Sequence, residues 1–243
     1  MRRLNEGVKP ISINRDLSVV KALFNYAWRN KMFFGRNPVT LAGLIHTESM
    51  RERILTFAEE EKLLENSPPY LRDIIKIALN TGMRQGEILS LLWDWVDLEN
   101  NIIFLPQTNT KSKKQKLIPI NSIVRSILLE RKIKFRVSEF IFPNSSDYSK
   151  HLKEVKKSFK TACRLSGISG LTFHDLRHTC ATRLVEANVP LHAVTKLLGH
   201  SSVKVTERYS HPEEIVNKAV EVLAHLDPKG HQNGDHKCDH DKI

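Results

Sequence analysis

No run of this sequence is apolar enough to cross a bilayer, and its first residues lack the apolar stretch of a secretory signal. It has no Walker-type glycine loop and no HExxH helix, which argues against nucleotide hydrolysis on a phosphate loop and against zincin chemistry. Cysteine is scarce. Cys163, Cys180 and Cys238 are odd in number and unrelated in spacing, so no disulfide framework is expected and a reducing cytosol fits. His236, Cys238 and His240 alternate in a pattern that matches no standard zinc module. A solvated, polar tail over 227–243 is therefore expected rather than a metal site. No internal repeat is visible.

Acidic residues are missing from two stretches, 100–129 and 155–174. The first gathers Lys111, Lys113, Lys114 and Lys116; the second carries Lys156, Lys157, Lys160 and Arg164. The whole chain holds 38 Lys plus Arg against 27 Asp plus Glu, a net charge of +11. Segregation of this kind predicts a positive face and a polyanionic partner, since neutralising phosphates releases condensed counterions. An ordinary basic surface is the alternative at this point. On that alternative, three of the four lysines between 111 and 116 are solvated charges guarding an edge strand.

With 40% hydrophobic residues over 243 positions, the chain can form one large domain, or one with a small companion. Leu17, Val20, Phe24, Ala27 and Trp28 recur at helical spacing and predict a helix over 15–34, ended by Gly35 and Asn37-Pro38. Residues 41–53 read as a linker. Thr56-Phe57-Ala58-Glu59 fits a capping box that opens a helix to about Asn66. A helix over 70–80 has Leu71, Ile74, Ile75, Ala78 and Leu79 on its apolar side, and Thr81-Gly82 ends it. Another helix is expected over 84–92. Residues 102–105 and 117–120 then read as two short strands joined by the lysine-rich loop. Helices follow over 122–134, 149–166, 174–187, 191–198, 203–209 and 212–226. The fold class expected is α+β, mostly helical, with a small antiparallel sheet.

His174-Asp175-Leu176-Arg177-His178, Leu198-Gly199-His200 and Tyr209 concentrate phosphate chemistry near the C-terminus. Thr172 and Asp175 fit a capping pattern, which puts His174 in a first helical turn where an anion is favoured. Arg177, three residues on, shares that face. Arg84 lies far upstream, near another helix start, with Glu87 placed to hold its guanidinium. Alone, each has a bland reading: a surface His-Arg pair, a helix ion pair, a packed tyrosine, a loop histidine. Together they form a chemically complete set. A tyrosine can attack phosphorus, two arginines can neutralise its oxygens, and a lysine or histidine can protonate the leaving 5′ oxygen. Neither metal nor ATP is required, because the phosphotyrosine link conserves the phosphoester bond.

In this order and spacing the segments resemble the tyrosine recombinase (phage integrase) family, over about residues 54–225. The resemblance implies a site-specific DNA recombinase or integrase that cleaves and rejoins DNA through a 3′-phosphotyrosyl intermediate. It implies Arg84 and Arg177 as phosphate clamps and Tyr209 as nucleophile. Lys111, at the family's usual distance before Pro119, is implied as general acid, although Ser112 stands where a glycine is common. His174 and His200 are implied as proton-transfer and phosphate-binding groups. The expected layout is a partial helical core-binding segment at 1–40, the linker at 41–53, a catalytic domain at 54–226 and the tail. A truncated or fragmentary integrase is the expectation, cytoplasmic and of bacterial or phage origin. Double-stranded DNA and further protomers assembled on it are the expected partners, with no cofactor and no membrane. A non-catalytic DNA-binding remnant and a type IB topoisomerase-like enzyme are the alternatives.

Overall fold

A computed structural model describes residues 5–43, 45, 53–110, 115–135, 137–199 and 206. The chain divides into two compact units, Met1–Arg51 and Glu52–Ile243.

The first unit contains α1 (Pro10–Arg29) and α2 (Pro38–Ala42). Helix α1 starts five residues before the expected Arg15, because Pro10 fits the first helical position, where no N–H partner is needed. It also stops short of the expected Phe34: Lys31 takes a left-handed φ of 57°. Asn37 ties the two helices together. Its amide donates to the Lys21 carbonyl at 2.9 Å and to Asn25 Oδ1 at 2.8 Å, while its oxygen caps Val39 N. Asn14 pairs in both directions with the backbone of Ile45, within the stretch expected to be linker.

The second unit is built around α4 (Pro69–Thr81), which follows α3 (Phe57–Glu65). The expected apolar face of α4 is buried, and Ile77 is buried as well, so the helix lies within the core rather than on its rim. Helices α6 (Ser122–Lys134) and α8 (Phe173–Glu186) pack against it. Thr56 and Glu59 form the capping box at the start of α3, and Arg53 clasps the same carboxylate. Leu55 N donates to Thr179 Oγ1 at 2.9 Å, and Arg183 reaches both Leu55 O and Glu60, so the start of this unit is sewn to α8.

Between α5 (Gln85–Leu89) and α6 lies a three-stranded antiparallel sheet, β1 (Val96–Asp97), β2 (Ile102–Leu105) and β3 (Lys116–Pro119). One strand more than expected is present, and β3 starts and ends one residue earlier than predicted. Its register pairs Leu105 with Lys116 and Ile103 with Ile118. Lys116 and Ile118 therefore face inward with Ile103 and Leu105, while Leu117 faces out. Helix α5 is shorter than the expected 84–92.

The helix expected over 149–166 is corrected. Residues 147–151 form β5, paired with β4 (Pro143–Asn144), and the helix α7 runs only over Lys156–Leu165. Asp147 Oδ1 accepts from Ser149 N at 3.1 Å, a local turn bond that competes with helix formation. After α8, helix α9 (Leu191–Leu198) completes the described part. Beyond Gly199 only Thr206 is described, fully buried, with Thr195 Oγ1 donating to its hydroxyl at 2.9 Å. The helices expected over 203–209 and 212–226, and the tail, otherwise lie outside the described residues. Among the described residues no helix is long and apolar enough to cross a membrane.

Candidate active site

Three of the six residues singled out from the sequence are described, namely Arg84, His174 and Arg177. Lys111, His200 and Tyr209 lie outside the described residues.

Arg84 stands at the N-cap of α5, just beyond the end of α4. That placement depends on Gly82, whose φ of 62° ends α4 in the left-handed region that glycine adopts without strain. Glu87 holds Arg84 as expected. Its Oε1 accepts from Arg84 Nη1 at 2.8 Å, and its Oε2 accepts from Arg84 N at 3.0 Å. Glu87 is only 3% exposed, against 28% for the Arg84 side chain, so the guanidinium is fixed from within and open outward.

Arg177 is reached from the other direction. Thr172 N donates to Asp175 Oδ2 at 2.7 Å, starting α8 at Phe173 in agreement with the capping pattern. One turn in, Arg177 is almost wholly buried. Its Nη1 donates to Gly82 O at 2.7 Å and its Nη2 to Leu198 O at 2.6 Å. Both carbonyls lie at the C-terminal ends of helices, where partial negative charge collects, so they stabilise a buried cation. One guanidinium thus links the ends of α4 and α9. The packing there is close: a Cβ on Gly82 would lie 2.3 Å from Leu198 Cδ2.

His174 occupies the first turn of α8 and is exposed, with its ring edge-on to His178 at 4.7 Å between centroids. The sequence pairing of His174 with Arg177 therefore holds as a shared helix, but the aromatic partner is His178. Gly199 ends α9 with φ 66°, as its place after Leu198 predicts, and so fixes the chain just before His200.

Lys116 was missed. The alternative reading, in which three of the four loop lysines are solvated, does not hold for this one, which is 8% exposed. Its aliphatic stem crosses Gly199, with Cδ 3.3 Å from where a Cβ would stand, and its Nζ has no hydrogen-bond partner among the described residues. Burial pushes its pKa down to about 8; Glu87 opposes that fall, while Arg177 and Arg84 add to it. Strand alternation inward from Ile118 was the signal that could have found it. Nearby, burial drives the Cys180 thiol up to about 11, which makes it an inert core group rather than a nucleophile. The basic residues of α7, namely Lys156, Lys157, Lys160 and Arg164, are exposed as the charge pattern predicts.

Residues 47–214 match the model of the phage integrase family, a span that includes all six candidate residues. The chain belongs to the phage integrase family. It is 30% identical over 231 residues to the tyrosine recombinase XerD of Listeria monocytogenes, covering 88% of this chain and 76% of that one. It is 29% identical over 235 residues to the shufflon-specific DNA recombinase of Escherichia coli, covering 92% of this chain. The chain spans 56% of that recombinase's length and 58% of the length of the Escherichia phage P2 integrase. Among solved structures, a Tn1549 transposon integrase in complex with transposon right end DNA superposes with a TM-score of 0.77. That match has 22% identity and covers 92% of this chain and 82% of the other. A lambda integrase dimer bound to a COC′ core site gives 0.68 at 25% identity, covering 85% and 60%. The phage integrase fold of this chain is thus an α+β architecture of mostly helices around small antiparallel sheets.

Proposed function

We propose that this chain is a site-specific DNA recombinase that cleaves and rejoins DNA through a 3′-phosphotyrosyl intermediate. The observation that carries this reading is the position of Arg177. It is buried, held by Gly82 O and Leu198 O, and so draws the Arg84 turn, α8 and the segment leading to His200 together. Relatives named as recombinases and integrases, and related integrases solved on DNA, support it.

In this mechanism the Tyr209 hydroxyl gives its proton to His174 or His200 as its oxygen attacks the phosphorus and forms a P–O bond. The bond from phosphorus to the 5′ oxygen breaks, and that oxygen takes a proton from Lys111. Arg84 and Arg177 bind the non-bridging oxygens and stabilise the charge added in the transition state. Glu87 keeps Arg84 oriented before DNA arrives, which lowers the reorganisation needed. His174 and His200 assist proton transfer and phosphate binding. Reversal with a different 5′ hydroxyl rejoins the strands, so no external energy source is consumed. In the domain layout that accompanies this reading, residues 1–40 belong to a helical core-binding segment, 41–53 link it, and 54–226 form the catalytic domain. Its partners are double-stranded DNA and further protomers assembled on it, in a bacterial or phage-infected cytoplasm.

The test uses a pool of nicked suicide duplexes with randomised cores, incubated with the chain and resolved under denaturing conditions. A protein–DNA adduct is expected with the unsubstituted chain and none with Tyr209→Phe. Equal adduct from both would refute the nucleophile assignment. Salt-dependent DNA binding without any adduct would favour the non-catalytic reading instead.

A further inference from the structure

A buried ammonium without an acceptor is costly, because it has lost its water and gained nothing in exchange. Lys116 is such a group: 8% exposed, with Nζ unpartnered among the described residues. Its surroundings make the position less comfortable still. Of the described charged groups that act on it, one is a carboxylate, Glu87, and two are guanidiniums, Arg177 and Arg84. Glu87 already spends both its oxygens on Arg84. The lysine is nevertheless held firmly, first residue of β3, opposite Leu105, with its stem lying along Gly199 where no side chain intervenes. An apolar residue at this inward position would satisfy the sheet at lower cost. A lysine buried in this way is suited to an anionic ligand.

We propose that Lys116 is a third cationic contact to the scissile phosphate, binding a non-bridging oxygen beside Arg84 and Arg177, an inference that rests on the recombinase reading above. The charge balance suits the reaction. With Lys111 passing its proton to the leaving oxygen, Arg84, Arg177 and protonated Lys116, less Glu87, leave two positive charges for the oxygens on phosphorus. A phosphodiester carries one negative charge in the ground state and approaches two as the tyrosine oxygen adds. The surplus therefore matches the transition state better than the substrate, the condition for acceleration rather than mere binding. The depressed pKa is consistent with this: an arriving anion would restore the proton's hold on the amine. Lys116 is a different residue from Lys111, whose implied task is to protonate the leaving oxygen. The two lysines would divide charge neutralisation from proton donation.

The experiment has two arms, both on the full chain. In the first, the thermal unfolding midpoint is followed against inorganic phosphate for the unsubstituted chain, Lys116→Met and the exposed control Lys132→Met. The unsubstituted chain and the control should rise alike, and Lys116→Met should lose most of the rise. An equal rise in Lys116→Met, or no rise in the unsubstituted chain, overturns the proposal. In the second, duplexes recovered as adducts from the randomised pool are cleaved by the same variants. Lys116→Met should form adduct roughly a hundredfold more slowly on ordinary DNA. On a methylphosphonate at the scissile position, whose neutral oxygen needs no counter-charge, the gap should close to within about fivefold. An unchanged gap there would mark a merely structural lysine. Rescue by a 5′-bridging sulfur instead would mark a proton donor. Either overturns the charge-contact assignment. If no adduct forms with the unsubstituted chain while the phosphate difference persists, the recombinase reading fails and the anion site stands.

Discussion

Replacing Lys116 by methionine should make this protein more stable at neutral pH, and the gain should vanish in alkali. Burial lowers the Lys116 pKa from the ordinary 10.5 to about 8. The unfolded chain therefore binds this proton more tightly than the folded one, and the charged amine opposes folding. A fall from 10.5 to about 8 corresponds to an opposition to folding on the order of 3 kcal/mol. That penalty is fully present below pH 8 and is relieved as pH rises from about 8 to 10.5. Glu87, Arg177, Arg84 and Cys180 act on the same site, but each remains in the variant, so comparing the two chains cancels most of their own titration. Urea unfolding at pH 7, 8.5 and 10 measures the effect. At pH 7, Lys116→Met should be more stable by about 3 kcal/mol, and by pH 10 the two chains should converge to within about 1 kcal/mol. A difference that stays constant with pH would mean that Lys116 is not a desolvated ammonium, and the reasoning from its burial would fail.

Gly82→Ala should be far more damaging than an exposed glycine substitution. It combines a positive φ with a Cβ 2.3 Å from Leu198 Cδ2, and Leu198 is fully buried. A loss of about 2–4 kcal/mol is expected from strain plus overpacking, read from the urea midpoint. An unchanged midpoint would show that α4 and α9 do not pack there. Glu87→Gln keeps the cap but removes the one carboxylate acting on Lys116, so the lysine pKa should fall further below its present value. Stability at pH 7 should drop by about 2 kcal/mol, and the alkaline gain should begin at lower pH, both visible in the same urea series.

What the sequence made legible was local. Thr56 with Glu59, Thr172 with Asp175, and Gly82 and Gly199 after apolar turns all announce helix ends through contacts within four residues. The apolar spacing of α4 was readable because the helix is long and strongly periodic. Pro10 marks the start of α1, but the apolar pattern of that helix begins several residues later. Hairpin β4–β5 was not legible because Asp147–His151 has Tyr148 alone among polar residues, so neither period 2 nor period 3.6 marks it. The inward turn of Lys116 depends on its register with Leu105 across the sheet, and β3 begins one residue before the apolar run that signalled it. The site itself was assembled from motif order and residue chemistry. The reach of Arg177 from α8 to two other helix ends is a tertiary fact that no spacing within its own helix reports.

That reach has a consequence for how copies of this gene decay. Arg84 projects outward and, among the described residues, is held by Glu87, so its loss should disable phosphate chemistry and leave a folded, basic protein behind. Arg177 satisfies two buried carbonyls, each costing about 1–3 kcal/mol when left unmet, which together approach the whole margin of a small domain. A copy mutated there should be cleared by proteolysis instead of persisting as an inert competitor for DNA. Silent descendants that still accumulate in cells should therefore retain Arg177 even where Arg84 is gone.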